Sequence, residues 1–171
     1  MKHVAALALQ MHDALVEQGV LDGAPEEREL LWAAAELHDI GMTVDYDDHH
    51  KHSRYLILNA GLPGFTPREL ALIAQVARYH RKGSPGFGEL APLMRAGDEA
   101  LLERCSALLR LAEQLERSRD QVVREARLAV DNGRVRLELV HEGDVSVATW
   151  AAERQRDLFQ RAFGRELEIE A

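Results

Sequence analysis

Apolar positions follow a helical period over most of the first 119 residues. Residues 2–18 carry an i, i+3, i+4, i+7 stripe typical of an amphipathic helix, formed by Val4, Leu7, Ala8, Met11 and Leu15. The same spacing predicts four more helices. The second helix begins at Pro25 and ends at Gly41, and the third covers about 50–60. The fourth begins at Pro67 after a Thr66 capping box, and the fifth runs from Asp98 to about Arg119.

The pattern changes after residue 122. Short runs rich in Val and Leu cover 126–131 and 134–140, and Asp131-Asn132-Gly133 between them is a strong hairpin signal. Residues 146–163 return to a helical period, and 167–169 alternate as a last short strand. We therefore predict a mainly α protein with two parts, a helical domain over 1–122 and a small α+β appendage over 123–171.

Composition narrows the classes of function. The 171 residues carry a net charge of −8, which argues against general nucleic-acid binding because phosphate backbones favour clustered Lys and Arg. The single cysteine, Cys105, excludes an internal disulfide and fits a reducing cytoplasm. No apolar run approaches the ~18 residues of a membrane span, and no signal peptide is visible. We expect a cytoplasmic protein without a membrane partner.

Histidines are the first candidates for chemistry. His38 follows Ala34 by four positions and His80 follows Ala77 by three, so both imidazoles lie on apolar helix faces. Such residues are either hydrogen-bonded core histidines or metal ligands, and for one histidine alone the core interpretation is the commoner. The His38-Asp39 pair favours a metal, because a buried carboxylate needs a cation or donors and a mixed His/Asp shell suits hydrolytic metals.

The motif Leu37-His38-Asp39-Ile40-Gly41, preceded by His3, resembles the HD superfamily of metal-dependent phosphohydrolases. The segments 49–57 (HHKHSRYLI), 62–65 (LPGF) and 78–82 (RYHRK) narrow the resemblance to the C-terminal HD domain of the exopolyphosphatase / guanosine pentaphosphate phosphohydrolase (Ppx/GppA) family. The resemblance covers nearly the whole chain and implies an HD-type helical bundle followed by a hairpin–helix–strand appendage. That family cleaves polyphosphate in an N-terminal actin-like region, which this chain lacks. We therefore expect an excised domain or a stand-alone homologue.

The resemblance also implies a ligand set. A divalent ion (Mg, Mn or another first-row transition metal) would be held by His3, His38, Asp39 and Glu113, where Glu113 replaces the aspartate of other HD proteins. His38 and Asp39 would form the catalytic pair, with Asp39 orienting or deprotonating a water. A second metal would bind His52 and His80, for which a polar-core or phosphate-contact role is the alternative.

Cations flank the motif residues in this acidic chain. Four of them predict a local phosphate site: Lys51, Arg54, Arg81 and Lys82. Exposed helix charge is the alternative for each. The leading hypothesis is a phosphohydrolase acting on polyphosphate or a nucleotide. The other is a non-catalytic polyphosphate- or nucleotide-binding or dimerisation module whose actin-like phosphatase domain is absent from this chain. Under either hypothesis we expect a homodimer.

Overall fold

The computed structural model describes residues 2–171, which form seven α-helices and one three-stranded sheet. The helices are α1 (Lys2–Glu17), α2 (Pro25–Leu37), α3 (His49–Ala60), α4 (Pro67–Arg78), α5 (Asp98–Leu115), α6 (Ser146–Glu153) and α7 (Arg156–Phe163). The strands are β1 (Val123–Asp131), β2 (Arg134–His141) and β3 (Leu167–Glu170), and short 3₁₀ helices cover Ile40–Thr43 and Gly88–Leu93. The predicted mainly α fold with a small β appendage is confirmed.

Local sequence signals explain several helix starts. The Thr66 side chain accepts a hydrogen bond from the Glu69 backbone N–H at 3.2 Å, and the Glu69 carboxylate accepts one from the Thr66 N–H at 2.7 Å. This reciprocal capping box satisfies two amide groups that have no partner inside α4. Pro25 begins α2, and its ring fixes φ at a helical value. Glu26 and Glu27 in the first turn stabilise α2, because their negative charges interact favourably with the positive end of the helix dipole.

One hydrophobic core runs through both parts of the chain. The stripes of α1, α2, α4 and α5 are buried against one another, as Leu7, Leu31, Ile73 and Leu109 illustrate at 0% exposure. The same cluster continues into the C-terminal part through Val135, Phe159 and Leu167, among others. The boundary near residue 122 marks the change from helix to strand, whereas the division into two domains stays a prediction.

Helix α1 covers an edge of the sheet. Strands β1 and β2 form the predicted antiparallel hairpin, and β3 adds to β2 in parallel. Along the outer edge of β1, the Gln10 side chain accepts from the Ala126 N–H, and the Gln18 amide bonds both the Leu128 carbonyl and the Val130 N–H. These side chains pair backbone groups that a bare strand edge would leave open.

Four predicted boundaries differ from the structure by more than one residue. Strand β1 begins at Val123 rather than at residue 126. Helix α5 ends at Leu115 rather than near Arg119. Glu116 already leaves helical backbone geometry, and the left-handed residues Arg119 and Gln121 follow it. The predicted helix over 146–163 is two helices, separated at residues 154–155. Helix α2 ends at Leu37, and Gly41 lies in the 3₁₀ turn, where a Cβ would come within 2.1 Å of the His49 carbonyl oxygen. No helix within residues 2–171 is long and apolar enough to cross a membrane.

Candidate metal centre

Four segments bring histidine and carboxylate side chains to one place. His38 and Asp39 follow the end of α2, His49 begins α3, His80 follows α4, and Glu113 lies in the last turn of α5. His38 and His80 are 0% exposed and His49 is 3% exposed. Buried polar groups at such density require mutual partners or a ligand.

Each of the three histidines has the same backbone anchor. Its Nδ1 lies within hydrogen-bond distance of the carbonyl oxygen three residues earlier. These oxygens belong to Ala35, Tyr46 and Ala77, at 2.6, 3.0 and 2.7 Å. A carbonyl oxygen only accepts, so Nδ1 carries the proton in each ring. In a neutral ring Nε2 then presents a lone pair, which is how metal-binding histidines are commonly oriented.

The Nε2 atoms converge on Asp39. His49 Nε2 lies 3.1 Å from both His80 Nε2 and Asp39 Oδ1, and His80 Nε2 lies 3.6 Å from Asp39 Oδ1. Asp39 Oδ1 is buried and has no hydrogen-bond partner among the described residues. Ligand atoms of His38, Asp39 and His80 all lie within 4.8 Å of one another. Lone pairs facing one another at such distances repel unless a cation or proton stands between them.

Glu113 contacts the same group through His38. His38 Nε2 lies 3.0 Å from Glu113 Oε2, a hydrogen bond that needs a proton on Nε2 in addition to the one on Nδ1. Burial opposes this charge, but the Glu113 hydrogen bond and the charge of Asp39 outweigh it and raise the pKa of His38. Burial, aided by the charge of His38, lowers the pKa of His80 to about 2, so its Nε2 lone pair is free to bind a cation.

The turn that carries His80 is held from α5. Arg110 donates to the carbonyl oxygen of Tyr79 at 2.6 Å and to that of Gly83 at 2.9 Å. Burial first, and then the charge of Arg161, lowers the pKa of Arg110 to about 10. Its hydrogen bonds therefore anchor the backbone on either side of His80 to a helix of the core.

A cavity of about 770 Å³ opens beside Asp39 and Glu113, and we call it the Asp39 cavity. Its wall includes apolar side chains, further carboxylates and the cationic side chains of Lys2 and Arg119. Arg119 reaches Asp39, with 3.5 Å between its terminal nitrogen and Oδ2. A ligand in this cavity would thus contact the exposed side of the histidine–carboxylate group.

The structure brings together His38, Asp39, His80 and Glu113 of the expected metal ligands. His3 lines the Asp39 cavity, but its Nε2 donates to the Val123 carbonyl oxygen at 2.7 Å. Within residues 2–171, the compact group of ligand atoms consists of His38, Asp39 and His80, and neither His3 nor His52 belongs to it. His49 and Glu113 adjoin this group, 3.1 Å from Asp39 and 3.0 Å from His38 respectively. The assignment of His3 and His52 as ligands stays a prediction.

His49 is the member of the group that the sequence pattern missed. The run 49–52 contains three histidines, so the signal was present, but the pattern did not show which ring points inward. In α3, His49 lies 3.1 Å from both Asp39 and His80.

The four expected phosphate-binding cations have other neighbours. Lys51 pairs with Asp48 at 2.7 Å, and Arg54 bonds Gln75 and Glu89. Arg81 lies 5.9 Å from the centre of the Tyr46 ring, and Lys82 is exposed. The wall of the Asp39 cavity, as far as the described chain forms it, contains none of the four. Their role toward phosphate stays a prediction.

Comparison with known proteins identifies the family. The family model "Ppx/GppA phosphatase, domain III" matches residues 1–159, and the chain belongs to this family. The resemblance carried by the HHKHSRYLI and RYHRK segments is thereby confirmed.

Its relatives are several times longer. The guanosine-5'-triphosphate,3'-diphosphate pyrophosphatase of Pseudoalteromonas translucida (strain TAC 125) is 30% identical over 164 residues, covering 93% of this chain and 31% of the relative. The protein of the same name from Vibrio vulnificus (strain YJ016) is 36% identical over 113 residues, covering 65% of this chain and 21% of the relative. The chain thus spans less than a third of the length of these relatives.

Proposed function

We propose that this domain binds a divalent metal ion through His38, Asp39, His49 and His80 and acts as a metal-dependent phosphohydrolase of the HD type. The observation that carries the proposal is the convergence of the His49 and His80 Nε2 atoms on the buried, unpartnered Oδ1 of Asp39, with His38 Nε2 3.5 Å from Oδ2. Imidazole nitrogens and a carboxylate form the donor set that first-row divalent metals prefer. The residues therefore fit such an ion.

Glu113 completes the proposed set of ligands. Its Oε2 lies 3.0 Å from His38 Nε2, and Glu113 lines the Asp39 cavity. A bound ion would take the place of the Nε2 proton that joins these two side chains, so that both would offer it a lone pair. A bound divalent ion supplies a polarised phosphate oxygen and a water of lowered pKa.

The side chains around the ion have separate tasks in this proposal. Asp39 orients the attacking water or accepts its proton, since its carboxylate lies between the histidines and the cavity. Arg119 and Lys2 offset phosphate charge at the cavity wall. Lys51, Arg54, Arg81 and Lys82 would bind more distant phosphates of a long ligand.

The names of the relatives support a substrate class. They describe pyrophosphatases of guanosine-5'-triphosphate,3'-diphosphate, a phosphate-rich nucleotide. We propose a ligand of that class, or polyphosphate, for this domain. Because the relatives are much longer, we include an actin-like phosphatase domain as a partner in this proposal. A homodimeric assembly is part of the same proposal.

Metal analysis tests the first half of the proposal. The purified chain, dialysed against Mn²⁺ or Mg²⁺, should retain about one ion per molecule. His80→Ala should weaken metal binding by at least about tenfold. His49→Gln is a second variant of similar volume that removes one ligand. His141→Ala is the matched control, because His141 ends β2 outside the histidine–carboxylate group and its Nδ1 bonds the nearby Gly143 carbonyl. Equal metal content in all four proteins would refute the site.

Phosphate release tests the second half. The metal-loaded chain is assayed with guanosine-5'-triphosphate,3'-diphosphate and with polyphosphate, and Asp39→Asn should abolish turnover. Binding of these ligands without phosphate release would refute the hydrolase and leave the binding module as the function.

A further inference from the structure

The carboxylate of Glu116 is buried at the wall of the Asp39 cavity, and only one of its oxygens has a partner. Glu116 is 9% exposed, and its Oε1 accepts the Gln121 backbone N–H at 3.1 Å. Its Oε2 is buried and receives no hydrogen bond from the part of the chain that the structure describes. Burying a carboxylate oxygen without a hydrogen-bond donor costs free energy, and a donor group of a ligand would remove that cost.

The nearest nitrogen does not supply that donor. His3 Nε2 lies 3.6 Å from Glu116 Oε2, but it lies 2.7 Å from the Val123 carbonyl oxygen. A carbonyl oxygen only accepts, so the hydrogen on His3 Nε2 points to the Val123 carbonyl oxygen, which is the closer of the two acceptors. Glu116 Oε2 therefore keeps a free acceptor position, and both Glu116 and His3 line the cavity.

Glu116 is linked to the proposed metal end of the cavity by one turn of chain. The Arg119 N–H donates to the Glu116 carbonyl oxygen at 2.9 Å, and the Arg119 side chain reaches Asp39. Asp39, Arg119 and Glu116 thus line the same cavity, and a ligand with its phosphate at Asp39 and Arg119 could extend toward Glu116.

The rest of the wall disfavours a bare polyanion. Carboxylates outnumber cationic side chains on the described wall, with Glu36, Asp39, Glu113 and Glu116 facing only Lys2 and Arg119. Inorganic polyphosphate offers many negative charges and, near neutral pH, almost no hydrogen-bond donors. An organic phosphate offers fewer charges per atom, hydroxyl or amino donors, and a carbon skeleton that can pack against Leu37, Ile40 and Met42.

We propose that Glu116 is a specificity-determining residue, whose Oε2 accepts a hydrogen bond from a hydroxyl or amino group of an organic phosphate. The cavity then takes phosphates that carry a sugar or base in preference to bare polyphosphate. The inference rests on the proposed function only in assuming that the phosphate lies at the Asp39 end.

A matched pair of ligands tests the proposal. Guanosine triphosphate and inorganic tripolyphosphate carry the same phosphate chain with and without a nucleoside. Calorimetric titrations with the full chain, with and without Mn²⁺, should show tighter binding of the nucleotide. Glu116→Gln should weaken nucleotide binding by roughly tenfold, since the negative charge is removed and the amide has one acceptor oxygen for two donors, the Gln121 N–H and the ligand. The same variant should leave tripolyphosphate binding unchanged or tighter, because one negative charge is removed.

Glu36→Gln is the control variant. It removes the same charge from the same wall, but Glu36 is half-exposed and holds no buried acceptor. It should change both affinities together through charge alone. If Glu116→Gln changes both ligands by the same factor, or matches Glu36→Gln, the proposal is wrong.

A second measurement needs no variant. Dideoxyguanosine triphosphate lacks the ribose hydroxyls and inosine triphosphate lacks the base amino group. One of them should bind the wild-type chain as weakly as guanosine triphosphate binds Glu116→Gln. Affinities unchanged for both analogues, or no nucleotide binding at all, would overturn the proposal. Metal content is measured on the same samples, so failure of the metal site is seen separately from failure of Glu116.

Discussion

At the residue scale, the position of Asp39 depends on a hydroxyl that it does not touch. Ser53 of α3 is fully buried, and its Oγ donates to the His38 carbonyl oxygen at 2.6 Å and accepts the Gly41 N–H at 2.9 Å. One side chain thus joins the backbone on both sides of Asp39 to the helix that carries His49. Gly41 permits the contact, since a Cβ there would lie 2.4 Å from the Ser53 backbone nitrogen.

Replacing Ser53 by alanine should weaken metal binding. The variant leaves a buried carbonyl and a buried N–H unpaired, which lowers the free energy of unfolding by about 1–3 kcal/mol. The looser turn should also reduce metal affinity by roughly 10–100-fold, as loss of outer hydrogen bonds does elsewhere. Urea unfolding and equilibrium dialysis measure the two effects.

Ser106→Ala is the matched control for this prediction. Ser106 is equally buried, but its hydroxyl has no hydrogen-bond partner within residues 2–171. The control should keep full metal affinity. Equal metal affinity in the two variants would show that Ser53 does not position Asp39.

At the scale of elements, one arginine ties three helix starts together. Arg68 of α4 donates to both oxygens of Asp98 at the start of α5 and to Glu26 at the start of α2. The Asp98 side chain is 3% exposed, so this pair is little screened by solvent. The Arg68 hydrogen bond is the main cause that lowers the pKa of Asp98.

The Arg68–Asp98 pair should make stability depend on acid pH. The folded-state pKa of Asp98 is below its unfolded value of about 4, so its contribution is complete above that pH and is lost as pH falls through the folded pKa. Asp98→Asn should lower the free energy of unfolding by roughly 3 kcal/mol at neutral pH. The difference from wild type should shrink below about pH 4, when measured as urea midpoints from about pH 3 to pH 7.

Asp157→Asn provides the comparison, since Asp157 is an exposed carboxylate in the first turn of α7. Its effects on the stability at neutral pH and on the loss of stability in acid should both be much smaller than those of Asp98→Asn. A constant difference between Asp98→Asn and wild type at every pH would contradict the linkage.

At the scale of the whole molecule, the C-terminal segment shares the core of the helical body. Phe159 of α7 is 1% exposed, and α7 packs against α5, which also packs against α1, α2 and α4. Strand β1 packs on α1 and is bonded to the side chains of Gln10 in α1 and of Gln18 just after it. We therefore expect residues 2–171 to unfold as one cooperative unit.

Two tryptophans allow this expectation to be tested. Trp32 lies on α2 and Trp150 on α6, so the single-tryptophan variants Trp32→Phe and Trp150→Phe each follow one part of the molecule. Both probes should report the same urea midpoint. Phe159→Ala should lower both midpoints together, with a cost of about 3–5 kcal/mol. Tyr55→Ala, at an exposed position, should shift neither. Separate midpoints for the two probes would support the two-domain division instead.

The elements that sequence predicted well have short-range causes. The starts of α2, α4 and α5 and the Asn132-Gly133 turn agree with the structure, because prolines, capping residues and positive-φ turn residues act within a few positions. The end of α5 and the break at 154–155 were missed. Both depend on where the chain stops packing against one element and begins to pack against another, and the local spacing of apolar residues does not show that point.

The sequence by itself determined the helical body, the hairpin appendage and the family. Periodicity showed that His38 and His80 lie on buried helix faces, and the family resemblance supplied the predicted ligand set of His3, His38, Asp39 and Glu113, with His80 assigned to a separate site with His52. Only the tertiary structure decided that His49 joins the group and that His3 bonds Val123. Neighbouring residues on a helix point about 100° apart, so the member of a histidine run that faces a site is set by helix packing. That packing also placed Glu116, whose free oxygen no pattern of residues could reveal.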